Sequence, residues 1–386
     1  MPTLSLCMIA RDEERFLAGC LESVRGVVDE VVLVDTGSRD ATLDIARTMG
    51  ARVLSRAWDD DFSAARNFSV EAARGTHVLV LDADERLAPG GASALRAALA
   101  DDRLLLGMLP LHNADALDAP VQSVLSGARR IGGPVWVPRL FPRLPELRFK
   151  RRVHETLMGG VAVLRAEGRG DSRVIDAPLV HLGEQPDLRA VLGREARNER
   201  LLRRALEEDV ADGDLAGYLV GMLLRAERRE EARAVGERSL EPFLRAVDVR
   251  PAGHPAPSTV RLGYALSFAQ ADTNAAEAAL YTARECAARF PVEHPNLVFA
   301  EAYALEKLGR FDEAAARYGR CLTLHGVDSS QQVLSGVTGD LARLRLAVVH
   351  AARGALEEAA RLLPHVGGPW APEARRLAAA IAQRGA

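Results

Sequence analysis

The first 90 residues alternate short aliphatic runs with amphipathic segments, and this alternation restricts the possible folds more than any other feature. Strands joined through helices of this length form a parallel, doubly wound sheet, because each strand must return to the same edge before the next one starts. Four strands are predicted, at residues 4–10, 30–35, 51–55 and 76–84. Ligands of such sheets bind beyond the carboxyl ends of the strands. Three aspartates stand at those ends: Asp35, Asp82 and Asp84.

The segment between residues 100 and 185 breaks into short extended pieces rich in Pro, Gly and Arg. Pro138, Pro142 and Pro145 exclude a continuous helix, because proline lacks a backbone donor and clashes with the preceding helical turn. Short strands and loops that complete the sheet are predicted here.

The second half of the chain has a different composition, with long helical segments rich in Ala, Leu, Arg and Glu after Pro186. An acidic-Ala motif recurs in it at steps near the roughly 34-residue tetratricopeptide period, with insertions in two repeats. The motif occurs four times: REEARAV (229–235), NAAEAAL (274–280), FDEAAARY (311–318) and LEEAARLL (356–363). The pattern predicts a degenerate tetratricopeptide-like domain at 186–386 after an α/β domain at 1–185; an irregular helical bundle is the alternative.

Length and composition set the broad class of the protein. A chain of 386 residues favours two domains, and 48% hydrophobic with 27% charged residues is typical of a globular protein. No apolar run approaches the roughly 20 residues that span a bilayer, so no membrane span is predicted. The N-terminus lacks the features of a signal peptide, which favours a cytoplasmic location. The net charge of −3 argues against nucleic acid as a partner.

The four cysteines are predicted to be buried free thiols. They are widely separated and form no CxxC pair, so neither a disulfide framework nor a thiolate metal site is indicated. They are Cys7, Cys20, Cys286 and Cys321.

In the segment VLVLDADERL (78–87), an aliphatic run is followed directly by carboxylates. A buried strand does not need carboxylates, so these acids are either solvated turn residues or ligands of something positive. Alternation along a strand predicts that Asp82 and Asp84 point to the same side. Two oxygen ligands in this arrangement suit Mg²⁺ or Mn²⁺ bound together with a diphosphate, because these ions keep open positions for substrate oxygens.

Several segments, taken in order, resemble family-2 glycosyltransferases of the GT-A fold. Over roughly residues 3–90 these are LSLCMIARDEE, CLESV, DEVVLVDTGSRDAT, DDDFSAARNFSVEAARG and HVLVLDADE. PRLFPRLPELRFKRRVHETL and PLVHLGEQP are similar to later segments of the subgroup whose catalytic domain precedes tetratricopeptide helices. That subgroup also resembles bacterial peptide S-glycosyltransferases. The resemblance implies a GT-A catalytic domain followed by helical repeats.

The resemblance also implies which residues face the nucleoside. These are Ala10, Arg11 and Glu13, in the loop after the first strand, and Asp35 at the end of the second. Thr36 stands where many relatives carry a second acid, so the identity of the base stays open.

For the metal, the resemblance implies that Asp82 meets the ribose or the ion and that Asp84 binds the ion bridging the diphosphate. It also implies a histidine near the end of the domain that completes the coordination. His181 in PLVHLG is the candidate, with a purely structural role as the alternative.

The remaining candidates concern the acceptor and the nucleotide. An inverting transfer needs a base for the acceptor's proton, and Glu155 in VHETL is the first candidate, with Asp115 and Asp118 in reserve. Arg66 and Asn67 lie on a predicted helix, where they either contact the nucleotide or adjacent loops or form a solvated face.

The function expected from these observations is inverting, metal-dependent transfer of a sugar from a nucleotide-diphosphate donor, with uridine as the expected base. The acceptor is expected to be a peptide, a protein or a glycan, and a homodimer through the helical domain is a further expectation. The alternative is a scaffold without activity that pairs a GT-A domain with helical repeats. A nucleotidyltransferase would need a Gly-rich phosphate loop, which ARDEERF lacks.

Overall fold

The structure is a computed structural model that describes residues 2–183, 194–248, 257–290, 292–324 and 333–384. The chain divides into two units, Met1–Leu201 and Leu202–Ala386. The predicted boundary between residues 185 and 186 lies outside the described residues, so it stays a prediction.

The first unit is built on one sheet, which has nine strands in the described residues. Its order is β3-β2-β1-β4-β7-β6-β9-β5, with β8 paired to β6. The strands are β1 (Leu4–Ala10), β2 (Glu30–Asp35), β3 (Arg52–Ser55), β4 (His77–Val80), β5 (Glu85–Leu87), β6 (Leu104–Asn113), β7 (Val135–Pro142), β8 (Asp171–Val174) and β9 (Leu179–His181).

The first four strands run parallel, as the strand and helix alternation predicts. β1 is buried on both faces: Leu4 and Leu6 belong to one apolar cluster and Cys7 to the cluster on the opposite face. Strands covered on both faces are aliphatic throughout, which explains the continuous runs in the sequence. The helices of this unit are α1 (Leu17–Ser23), α2 (Thr42–Thr48), α3 (Phe62–Ala72), α4 (Gly91–Ala98), α5 (Val121–Leu125), α6 (Met158–Ala166) and the start of α7 (Arg194–Glu208).

The segment after residue 100 extends the sheet with pairs of both directions, and β8 and β9 each run parallel to β6. β7 pairs antiparallel with both β4 and β6, so the whole sheet is mixed. Pro138 lies inside β7 opposite Met108, where the register with β6 shifts after Gly107. The irregular pairing accommodates the missing N–H of the proline. The region also contains two helices, α5 and α6, where only strands and loops are predicted from the sequence.

The second unit is helical throughout its described residues, and most of its helices form consecutive pairs. Contacts join α8 to α9, α10 to α11, α12 to α13 and α14 to α15. The four acidic-Ala motifs lie at or just before the start of the second helix of each pair. The helices are α8 (Gly213–Arg225), α9 (Arg229–Asp248), α10 (Pro257–Asp272), α11 (Ala276–Ala288), α12 (Pro295–Lys307), α13 (Phe311–Thr323), α14 (Asp340–Ala352), α15 (Leu356–Leu362) and α16 (Ala371–Arg384).

The four pairs share one connection. In each, three residues join the helices, and the middle residue has a positive φ: 59° at Glu227, 60° at Asn274, 71° at Gly309 and 83° at Gly354. Five residues after each of these positions stands an alanine with 0% exposure: Ala232, Ala279, Ala314 and Ala359. This constant five-residue spacing identifies the repeats more firmly than the acidic-Ala dipeptides do, because it locates the buried alanine of each helix pair.

Two expectations about the whole chain can be compared with the described residues. All four cysteines are buried and unpaired, which confirms the prediction of free thiols. No helix in the described ranges is long and apolar enough to cross a bilayer.

Candidate active site

Asp82 and Asp84 lie in the turn between β4 and β5. β4 ends at Val80 and β5 begins at Glu85, so the strand-alternation argument for this pair is wrong. The Glu85 N–H donates to the Asp82 carbonyl at 3.0 Å and closes the turn. Both acids nevertheless line the same cavity.

The cavity has a volume of about 490 Å³. It lies where the loop after β1, the turn after β4, the segment after β7 and the end of β9 meet. The beginning of α7 forms another part of its wall. Seven of the predicted site residues line it: Ala10, Arg11, Glu13, Asp82, Asp84, Glu155 and His181.

Two arginines bind the Asp82 carboxylate. Arg66 Nη2 donates to Asp82 Oδ1 at 2.7 Å, and Arg139 Nη2 donates to Oδ2 at 3.2 Å and also to Glu85. Burial would raise the pKa of Asp82, but these guanidinium groups outweigh it and hold the pKa well below its usual range. Asp82 is therefore a fixed anion.

Asp84 faces a histidine and a third arginine. Its Oδ2 lies 3.4 Å from His181 Nε2 and 3.4 Å from Arg194 Nη2. On the other side of the imidazole, Nδ1 lies 2.8 Å from Asn113 Oδ1. Because an amide oxygen only accepts, Nδ1 carries a hydrogen and Nε2 is the nitrogen facing Asp84. Burial opposes a charge on His181, but the hydrogen bond to Asp84 and the nearby carboxylates raise its pKa.

The Asp84 and His181 pair fits a divalent cation. Two ligands of one octahedral ion with bonds of about 2.1 Å lie about 3 Å apart, close to the 3.4 Å between these atoms. A ligand histidine also needs an acceptor at its second nitrogen, which Asn113 supplies. Across the described ranges, no group of three or more His, Cys, Asp or Glu side chains is arranged as a metal site. Asp82 faces two guanidinium groups, so its part in coordination stays a prediction.

Glu13 brings a further carboxylate to the cavity. Its backbone N–H donates to Thr42 Oγ1 at 2.7 Å, which fixes the loop after β1. Burial, and next the charge of Asp84, raise the pKa of Glu13 to about 7. Contact between Glu13 and the nucleoside stays a prediction.

Glu155 lies on the cavity wall and is mostly buried, with 15% of its side chain exposed. Its Oε1 accepts a hydrogen bond from Arg66 Nε, so Arg66 bridges Glu155 and Asp82. The reserve candidates lie elsewhere: Asp115 and Asp118 form ion pairs with Arg129 and are not on the cavity wall. Of the three candidate bases, Glu155 alone shares the cavity with Asp84.

The other predicted nucleotide contacts lie behind the wall. Asp35 accepts hydrogen bonds from the N–H groups of Gly37 and Ser38 at 3.1 and 3.0 Å, and so shapes the loop after β2. Thr36, the next residue, lines the cavity. Asn67 exchanges two hydrogen bonds of 2.9 Å with the backbone of Phe149. Their contact with nucleotide stays a prediction.

Sequence reasoning did not assign Arg194, Arg197 or Asn198 to the site, although all three line the cavity. These three residues share one face of α7, at spacings of three and four residues. That spacing was available in the sequence, but the segment was attributed to the helical domain.

Comparison with known proteins shows what this part of the chain is similar to. Residues 5–155 match the model of the family described as Glycosyl transferase family 2. Residues 5–155 are therefore similar to a family-2 glycosyltransferase domain. The turn with Asp82 and Asp84 falls within the matched residues, and so does Glu155.

Two individual relatives show how far the similarity extends. A TPR repeat-containing protein of Synechococcus elongatus is 35% identical over 228 residues, 58% of this chain and 53% of that protein. The SPbeta prophage-derived glycosyltransferase SunS of Bacillus subtilis is 32% identical over 85 residues, 22% of this chain and 20% of SunS. This chain therefore spans about half or less of these two relatives.

Solved structures that match part of this chain include glucosyl-3-phosphoglycerate synthase from Mycobacterium tuberculosis in complex with Mn²⁺ and UDP-glucose. The TM-score is 0.36 at 19% identity, and the match covers 53% of this chain and 79% of that one.

Proposed function

We propose that this chain is a metal-dependent glycosyltransferase that uses a nucleotide-diphosphate sugar. The observation that carries the proposal is the pairing of Asp84 with His181 in the cavity of a family-2 domain. His181 is held by Asn113 so that Nε2 faces the Asp84 carboxylate. Mn²⁺ or Mg²⁺ fits these two ligands.

The acids, the histidine and the arginines of the cavity have different proposed roles. Asp84 and His181 would hold the cation, which when bound neutralises charge on the departing nucleoside diphosphate. Arg66 and Arg139 keep Asp82 ionised and fixed at the same turn. A preorganised set of charges of this kind lowers the reaction barrier because it needs no rearrangement during the transfer.

Glu155 is the proposed base of an inverting transfer. Its carboxylate is oriented by Arg66 Nε and reaches the cavity from the segment after β7. A base must lie within hydrogen-bonding reach of the acceptor's nucleophile, and a fixed orientation favours this. The proposed acceptor is a peptide, a protein or a glycan.

The experiment is isothermal titration of nucleoside diphosphates, with uridine diphosphate first, in the presence and absence of Mn²⁺. We expect binding that depends on the cation, and we expect Asp84→Asn to abolish that dependence while the protein unfolds at the same temperature. Asp115→Asn is the matched control, because this acid lies off the cavity. The absence of cation-dependent binding for every nucleotide would refute the proposal.

Turnover distinguishes an enzyme from a scaffold. We expect the native protein to hydrolyse one nucleotide sugar in a screen. The Glu155→Gln variant should bind that donor normally but hydrolyse it at least about 100-fold more slowly. Binding with no turnover of any donor would favour the scaffold without activity.

A further inference from the structure

Arg197 is a cation in the cavity wall that forms no ion pair with an acid of the described ranges. It lies on α7, and its Cζ stands 5.1 Å from the centre of the Phe62 ring. Its polar contacts are two hydrogen bonds of 3.3 Å to the side-chain oxygen of Asn198, the next residue. In the ranges that the structure describes, no carboxylate lies within ion-pairing distance of this guanidinium.

The other arginines of the wall all have carboxylate partners. Arg11 pairs with Asp12, Arg139 with Asp82 and Glu85, and Arg194 with Asp84. Arg197 differs from them although it is partly buried. Burial lowers the pKa of Arg197, and the neighbouring charge of Arg194 lowers it further, so the surroundings disfavour its charge. An anion entering the cavity would relieve both effects.

The charges of the cavity wall indicate what kind of anion this is. Among the described residues of the wall, four acids, Glu13, Asp82, Asp84 and Glu155, face four arginines, so this part of the wall is close to neutral when its histidines are uncharged. A divalent cation on Asp84 and His181 leaves an excess of positive charge. The diphosphate of a nucleotide sugar balances this excess, and a guanidinium is well suited to bind its oxygens because it offers several N–H donors in one plane.

We propose that Arg197 binds the diphosphate of the donor, and that the first turns of α7 belong to the donor site. This inference rests on the proposed function. The ring of Phe62 fixes the guanidinium by a cation–π contact, so that little side-chain freedom is lost on binding. Arg197 is thus assigned as a donor-binding residue.

The test is calorimetric titration of the full chain with uridine diphosphate, inorganic pyrophosphate and uridine, each with Mn²⁺. For Arg197→Gln we expect the affinity for uridine diphosphate and pyrophosphate to fall about 10- to 100-fold, the usual loss for a hydrogen bond to a charged group. Uridine lacks the phosphates, so its affinity should be unchanged. Arg197→Lys should recover part of the loss, because it restores the charge without the planar donors.

The matched control is Arg200→Gln. Arg200 lies one turn further along α7, pairs with Asp60, and is 57% exposed. Its replacement should leave all three affinities within about twofold. Unchanged binding of uridine diphosphate by Arg197→Gln would overturn the inference, and so would an equal loss for uridine. If the native protein binds none of the three probes, the proposed function itself fails.

Discussion

At the residue scale, the side chains behind the cavity wall matter as much as those on it. His181 can face Asp84 only because Asn113 takes up its other nitrogen. Arg66 is 6% exposed and holds Glu155 and Asp82 in place together. These contacts decide which atoms of the acids and the histidine are presented to a ligand.

The Asn113 contact yields a prediction about cation binding. Asn113→Ala should lower the affinity for Mn²⁺, measured with saturating uridine diphosphate, about 10- to 100-fold, because the imidazole loses the partner that fixes its tautomer and orientation. Asn113→Asp should retain much of the affinity, since a carboxylate also accepts from Nδ1. Equal affinities for Asn113→Ala and the native protein would show that His181 is not a ligand.

At the element scale, the three-residue connections between paired helices explain the repeats. A positive φ is costly for residues with a Cβ, and the chain places glycine there twice, asparagine once and glutamate once. Glu227 is therefore the strained member of the set. The constant distance to the buried alanine shows that the connection positions the second helix.

We predict that Glu227→Gly stabilises the protein by about 1 kcal/mol, because glycine adopts the positive φ without steric cost. Glu227→Ala is the control, since it removes the charge but keeps the strain. Gly309→Ala should destabilise the protein by a similar amount. A Cβ at this position meets no atom within 4 Å, so the cost comes from the positive φ alone. Urea unfolding followed by circular dichroism measures all three. No difference between the Gly and Ala variants at 227 would contradict the argument.

The start of α12 carries a pH-dependent contribution to stability. His294 is 1% exposed, and its Nδ1 accepts from the Asn296 N–H at 3.2 Å. Burial lowers its pKa from 6.5 to about 4. Between these values the unfolded chain binds a proton that the folded chain does not, so the folded state loses stability as the pH falls from 6.5 towards 4.

We predict that His294 lowers the free energy of unfolding by at most about 1.4 kcal/mol for each pH unit, which is the limit for the uptake of one proton. His294→Asn keeps a side chain that caps helices but does not titrate in this range. Urea unfolding at several pH values between 7.5 and 5 should therefore show a shallower slope for the variant. Identical slopes would show that His294 is not the titrating group.

At the scale of the whole molecule, the helical unit has a cavity of its own, of about 370 Å³. Its wall comes mainly from the first helices of successive pairs and carries Phe268, Phe299 and Tyr303. The rings pack edge to face, with centroids 5.7 Å apart between Phe268 and Tyr303. Arg345 stands over the Tyr303 ring. An aromatic cavity along stacked repeats is typical of surfaces that bind extended peptides.

We predict that the helical unit selects the acceptor. Tyr303→Ala should raise the KM for a peptide or protein acceptor identified by mass spectrometry about 10-fold or more, and leave the affinity for uridine diphosphate unchanged. Tyr303→Phe is the control, because it keeps the ring and removes the hydrogen bond to Asp272. Point substitutions are preferable to a chain ending near residue 186, which would also lack Arg194 and Arg197. An unchanged KM would leave the helices with another role, such as the predicted homodimer.

The sequence by itself determined the order of elements. Continuous aliphatic runs with helical segments between them predict β1 to β4 and their parallel pairing, because the pattern of apolar residues reports which faces of one element are buried. The sequence also predicted the helical repeats and the acids that follow β4. It also identified Asp84, His181 and Glu155 as candidates through their resemblance to a known family.

Only the tertiary structure decided which side chains meet. Arg66, Arg139 and Asp82 come from α3, β7 and the turn after β4, and no local pattern reports a contact between elements so far apart in the chain. The insertion of β7 between β4 and β6 depends on long-range pairing, and it brings Arg139 to the acids. Arg197 joins the cavity only through the packing of α7. Periodicity records burial along one element, whereas a site depends on how distant elements pack against each other.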